Sequence, residues 1–109
     1  MSDPNDLIHT FWYGKAQMCG CGDPPLVLAM IRDELAHCSI RIANRPSLPA
    51  TPERHLLAYS LDAWGLTEHG TSLAWPWLTD EGEELLAAMQ SVDLDAALDV
   101  GEMIEVEAP

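Results

Sequence analysis

The chain's 109 residues carry 18 Asp and Glu against 5 Lys and Arg, a formal charge of −13. Such a surface repels phosphate backbones and anionic lipid and attracts basic macromolecules. Hydrophobic residues make up 48 %, four Trp among them, which disfavours wholesale disorder and predicts one domain with one core over residues 1–109.

Residues 1–6 read as a disordered start, acidic where a signal peptide would be basic. Leu7 to Tyr13 is apolar and aromatic, and over seven residues its periodicity fits a short strand or two helical turns equally. Gly14 to Gly22 reads as a loop rich in Gly and Cys. A first helix is expected from Asp23, a favoured N-cap, with Pro24 at the first helical position, where a missing N–H costs nothing. Val27, Met30, Ile31, Leu35 and Cys38 recur at three- and four-residue spacing as its buried stripe, and Asp33 and Glu34 lie outside it. Residues 39–50, with Asn44, Pro46 and Pro49, form a connector.

A second helix is predicted from the cap Thr51 and Pro52, with Leu57, Leu61 and Trp64 inward, Leu56 alongside, and Gly65 at C′. Glu68-His69-Gly70 can turn the chain, so its flanks could pair as a small hairpin or wing, the second arm held to an edge by Pro76. A third helix follows the cap Thr79, with Asp80 and Glu81 complementing its dipole and Leu85, Leu86 and Met89 apolar. Residues 91–109 read as an acidic C-terminal segment, with Asp93 to Val100 as a short helix and Glu102 to Glu107 as an edge strand or tail. The expected fold is therefore mainly α (α or α+β): three principal helices with a small β-hairpin or wing.

No apolar run approaches the roughly 18 to 20 residues of a membrane span. Three cysteines is an odd count, which argues against a disulfide framework and for a reducing, cytoplasmic setting. Charge is then the most informative feature. The last base is Arg54; from His55 onward twelve acids meet no Lys or Arg, whereas residues 1–54 hold six acids and five bases. An ordinary soluble surface intersperses both signs. These acids are also dispersed among hydrophobic residues, so folded elements would hold them in fixed positions. The bland reading is a solvated face. The functional reading is a set of fixed carboxylates that imitates phosphates and fills a basic groove.

Cys19-Gly20-Cys21 could bind a metal with His9, His55 or His69, although a tight turn with small buried thiols explains it as well. Cys38 and His37 also draw the eye, but a helix over 24–38 would put about 20 Å between its ends and hold Cys21 far from Cys38, which disfavours a shared site. None of the four His stands in a nucleophile motif, and no phosphate-cradling Gly-rich loop is present, so neither an enzyme nor a cofactor is expected. Trp64, Trp75 and Trp77, with Trp12 and Tyr13, are ordinarily core; alternatively Trp75-Pro76-Trp77 exposes an interface anchor, a common role for Trp. The candidate partner-binding residues are Glu68, Trp75, Trp77, Asp80, Glu81, Glu83 and Glu84.

Phe11-Trp12-Tyr13-Gly14 with Cys19-Gly20-Cys21-Gly22-Asp23-Pro24 resembles small uncharacterised proteins of bacteriophages and prophages. Gly65 to Ser72, leading to Trp77 to Leu86, is similar to the second half of the same group. That group carries no activity to transfer; the resemblance implies a small protein made in the cytoplasm of an infected bacterium. The second stretch also resembles the wing and last helix of winged-helix regulators. Those place basic residues on helix and wing, because phosphate contacts supply much of their affinity. Here only Arg54, His55 and His69 are available. The expectation is a non-enzymatic interaction protein that binds a basic host protein or nucleic-acid-handling complex, in its most concrete form an anti-CRISPR-like, nucleic-acid-mimicking inhibitor. The alternatives are a winged-helix-like transcriptional regulator and a small metal-binding protein using Cys19 and Cys21.

Overall fold

A computed structural model describes residues 3–16, 24–70 and 75–94. The fold among them is mainly α, with four α-helices and one two-stranded antiparallel sheet. The three predicted helices are present: α2 (Pro24–Ser39), α3 (Pro52–Ala63) and α4 (Asp80–Ser91). A further helix, α1 (Pro4–Phe11), precedes them and runs into a π-helical turn over Trp12–Ala16. The expected disordered start is thus corrected from residue 3 onward. Asp3 caps α1 by accepting a hydrogen bond from the Asn5 N–H at 2.8 Å, and Pro4 takes the first turn. The expected cap Asp23, the cysteine loop from residue 17, and residues 95–109 lie outside the described residues.

Backbone proximity groups the chain into two compact units, Met1–Arg32 with Leu85–Pro109, and Asp33–Glu84. In the first, α1 buries Ile8 and Phe11, the π turn buries Trp12, and the start of α2 buries Leu28 and Ile31. The end of α4 buries Leu85, Leu86, Ala88 and Met89, and Leu94 is buried beyond it. Each such large aliphatic side chain, taken fully from water, is worth about 1.5–3 kcal/mol. The predicted stripe of α2 is rotated slightly: Leu28 replaces Met30, which is exposed, while Val27 is half-buried.

The second unit is built on chain reversals. α3 starts as predicted, with the Thr51 hydroxyl accepting from the Arg54 N–H at 3.2 Å. It ends in a Schellman turn: Leu66 N–H donates to Leu61 O at 3.0 Å and Gly65 N–H to Asp62 O at 3.1 Å. Gly65 has φ +79°, a conformation in which a Cβ would be strained. Leu61 and Leu66, joined by that bond, are both buried. Leu57 and Trp64 are half-buried, whereas Leu56 is 70 % exposed and takes no part in the core.

The hairpin forms as expected, with β1 (Thr67–Glu68) antiparallel to β2 (Trp77–Leu78), Thr67 opposite Leu78 and Glu68 opposite Trp77. Because side chains alternate across a strand, the Thr67–Leu78 pair turns inward and the Glu68–Trp77 pair faces solvent. Two residues after β2, α4 begins. The Thr79 hydroxyl accepts from the Gly82 N–H at 3.1 Å and donates to Gly65 O at 2.7 Å, and the Thr79 N–H donates to Leu66 O at 3.0 Å. One residue therefore caps α4 and ties it to the end of α3. Gly82 is required at this junction, since a Cβ there would run into the Leu66 carbonyl, its carbon only 3.1 Å away.

The 39–50 connector is largely as expected, except that α2 keeps Ser39 and Ile42–Asn44 makes one 3-10 turn. Three side chains hold it. His37 Nε2 lies 2.8 Å from Pro46 O, and Arg54 Nη1 donates to Pro49 O at 3.1 Å. Arg45 is the third.

Candidate interaction surface

Arg45 is 8 % exposed, and its guanidinium is spent on backbone oxygens. Nη2 donates to Cys38 O and Ile40 O, both at 2.8 Å, Nε donates to Ile40 O at 3.1 Å, and Nη1 to Pro76 O at 2.7 Å. The α2 carbonyl it takes belongs to a helix end, where partial negative charge accumulates. Arg45 thus closes the C-terminal end of α2 and fixes the residue before β2.

Arg54 is likewise committed. Its Nε and Nη2 donate to the two carboxylate oxygens of Glu34 at 3.1 and 2.8 Å, a forked pair that leaves Arg54 30 % and Glu34 11 % exposed. The hydrogen bonds it donates to Glu34 push the Arg54 guanidinium above even its ordinary range. Two of the three bases of the Asp33–Glu84 unit are therefore bound into its framework. Arg41 is exposed.

Against these three arginines the same unit carries nine Asp and Glu. The seven candidate residues Glu68, Trp75, Trp77, Asp80, Glu81, Glu83 and Glu84 all lie in it, and all are exposed. The β1–β2 register sets Glu68 beside Trp77, and the cap at Thr79 starts the helix that displays the four acids within its first two turns. Trp75 and Trp77 are 45 % and 43 % exposed, which corrects the core reading for these two; Trp12 is buried and Trp64 half-buried. Trp77, Leu78 and Glu83 also line an open recess of about 440 Å³, together with Ile40, Ile42, Arg41, Arg45 and Cys38. The surface is thus an acidic patch with a recess of mixed polar and apolar lining at its edge.

His69 and Asp62 form an exposed pair at 3.2 Å between the end of β1 and α3. His9 Nε2 is buried and has no hydrogen-bond partner among the described residues; its ring stacks at 40° on Tyr13, centroids 5.1 Å apart. Cys19 and Cys21 lie outside the described residues, so their proposed joining with His9, His55 or His69 has no geometry to examine. α2 is one unbroken helix, which leaves Pro24 about 21 Å from Cys38, in keeping with the separation argued from sequence.

Elsewhere on α2, ligand atoms of Glu34, His37 and Cys38 lie within 4.8 Å of one another. Cys38 is a buried free thiol whose pKa is pushed from 9.0 to about 11, first by burial and then by Glu34, with Arg45 and Arg54 pulling the other way. From sequence, His37 and Cys38 stand as potential metal ligands only alongside the cysteine loop. The signal that could have found the group is the Glu-x-x-His-Cys spacing, which puts all three on adjoining turns of one helix. Arg45 and the Glu34–Arg54 pair were also missed; their partners are 5 to 31 residues away, beyond any local pattern.

Comparison with protein-family models, with curated proteins and with solved structures found no match. Among the described residues, no helix is long and apolar enough to cross a membrane.

Proposed function

We propose that this chain is a non-enzymatic acidic interaction protein that docks on a basic protein surface. One observation carries the reading: seven candidate contact residues, five of them acids, stand exposed on the hairpin and the adjoining start of α4, in a unit whose Arg45 and Arg54 are already engaged. Fixed carboxylates attract a basic surface over long range and speed encounter, and a half-exposed Trp beside them slows release. The resemblance to phage and prophage proteins gives the reading its most specific form: an anti-defence, anti-CRISPR-like inhibitor that presents carboxylates in the cytoplasm of an infected bacterium where a nucleic-acid-handling complex expects phosphates.

The test uses the chain as bait in a bacterial lysate, beside a variant with Asp80→Asn, Glu81→Gln, Glu83→Gln and Glu84→Gln. The expected captured protein is basic, elutes as salt rises, and is missing from the variant. Equal capture by both baits contradicts the reading. A duplex gel-shift assay separates it from the winged-helix alternative, since a shift at physiological salt would favour a direct DNA binder.

A further inference from the structure

We propose that Glu34, His37 and Cys38 form a site for a zinc-class divalent ion on the C-terminal half of α2. The three residues occupy positions i, i+3 and i+4, so their side chains project from one face of the helix. Three atoms lying within 4.8 Å of one another can all be reached from one point no more than about 2.8 Å from each. Bond lengths to zinc are about 2.0–2.3 Å, so small side-chain rotations close the shell.

The surroundings already hold two of the ligands as metal sites hold theirs. A carbonyl oxygen can only accept, so the 2.8 Å contact from His37 to Pro46 O puts the proton on Nε2. In the neutral ring this leaves Nδ1 as the nitrogen able to coordinate. A backbone carbonyl behind a ligating imidazole is the usual outer-shell arrangement. Glu34 offers about four lone-pair sites, of which Arg54 takes two, one on each oxygen, so the carboxylate can hold the guanidinium and still donate to an ion.

Donor type selects the metal. One thiolate, one imidazole and one carboxylate suit zinc or cobalt(II) and serve magnesium or calcium poorly, since those ions require several oxygens. Two positive groups, Arg54 on Glu34 and Arg45 on the Cys38 carbonyl, stand close by, and the thiol proton must leave as the ion enters. Three protein ligands leave a fourth position for water or for an incoming group. Through Cys38 the site adjoins the recess at the edge of the acidic surface, and it stands whether or not that surface binds a partner.

Cobalt(II) is the direct probe, in a full-length chain carrying Cys19→Ser and Cys21→Ser so that Cys38 supplies the only thiolate. The expected result is one cobalt per chain, with thiolate-to-cobalt absorption in the near ultraviolet and intense visible bands of a four-coordinate ion. His37→Gln should weaken the binding at least about tenfold. Absence of the thiolate band, or an affinity unmoved by His37→Gln, overturns the site. Should the double serine variant not fold, zinc is counted by native mass spectrometry in the otherwise unaltered chain. Cys38→Ala should remove one zinc and His37→Gln should lower its occupancy, and an unchanged count in both overturns the proposal equally.

Discussion

The two ends of the Asp33–Glu84 unit are secured by opposite means. Where α3 turns through the hairpin into α4, neighbouring backbone does the work: Gly65 reverses the chain, Leu66 folds back on Leu61, and Thr79 caps the next helix. At the end of α2, two arginine side chains reach along the sequence to carbonyls and a carboxylate. The first arrangement is made of backbone turn and cap bonds, the two bonds from Thr79 to Gly65 O and Leu66 O, and one close backbone approach. The second concentrates its strength in charged groups, each satisfying several partners. The comparison teaches that the display of acids depends on both, because the junction sets where α4 begins and Arg45 fixes Pro76 at the foot of β2.

Gly82→Ala attacks the junction most severely. Its Cβ meets a backbone carbonyl, which cannot swing aside as a flexible side chain would, so a loss of about 3 kcal/mol is expected in chemical denaturation. At the other end, Arg45→Met keeps the apolar stem and removes the fork. Cys38 O, Ile40 O and Pro76 O lose their donor, and about 2–3 kcal/mol should go with it. Arg45→Lys should recover only part of this, since an ammonium cannot reproduce the planar fork. If Arg45→Met proves neutral, the contrast between the two ends disappears.

The capping threonines sharpen the comparison. Thr51→Ala removes one ordinary cap and should cost about 1 kcal/mol. Thr79→Ala removes a cap and the bond to Gly65 O together, so its loss should be the larger, near the upper end of the roughly 0.5–2 kcal/mol range. Equal losses would show that the link to α3 contributes little.

A further effect concerns pH. Burial raises the Cys38 thiol to about 11 from 9.0, so the folded chain holds this proton more tightly than the unfolded chain. The stability contributed is complete below the ordinary thiol value and is lost as pH climbs from about 9 through about 11. Cys38→Ala should flatten that part of the stability curve measured by denaturant titration. An unchanged slope would mean that another group titrates there.

This contrast also explains what the sequence makes legible. The caps at Thr51 and Thr79, Pro52 at the helix start and the turn at Gly65 each act within a few residues, and reading them in order yields α3, its end, the hairpin and the start of α4. Leu85, Leu86 and Met89 follow from periodicity alone. α1 is ambiguous because the seven residues Leu7 to Tyr13 fit two periods, and its cap, Asp3, lies in a stretch whose composition reads as disordered. Exposure of Trp75 and Trp77 was open in the sequence, since Trp serves core and interface alike; the hairpin register decides it for Trp77 by pairing that residue with the exposed Glu68. Arg45 and Arg54 read as two bases in a sparse set. Only folding brings Pro76 and Glu34 to them.

The central claim is that carboxylates fixed on the hairpin and the start of α4 draw in a basic protein. It is tested most directly by the association rate of the captured partner, measured over rising ionic strength with the unaltered chain and with the variant amidated at 80, 81, 83 and 84. The account predicts a rate that falls steeply with salt for the former, and a slower, nearly salt-independent rate for the latter. Rates that coincide for the two chains at every salt concentration would contradict it.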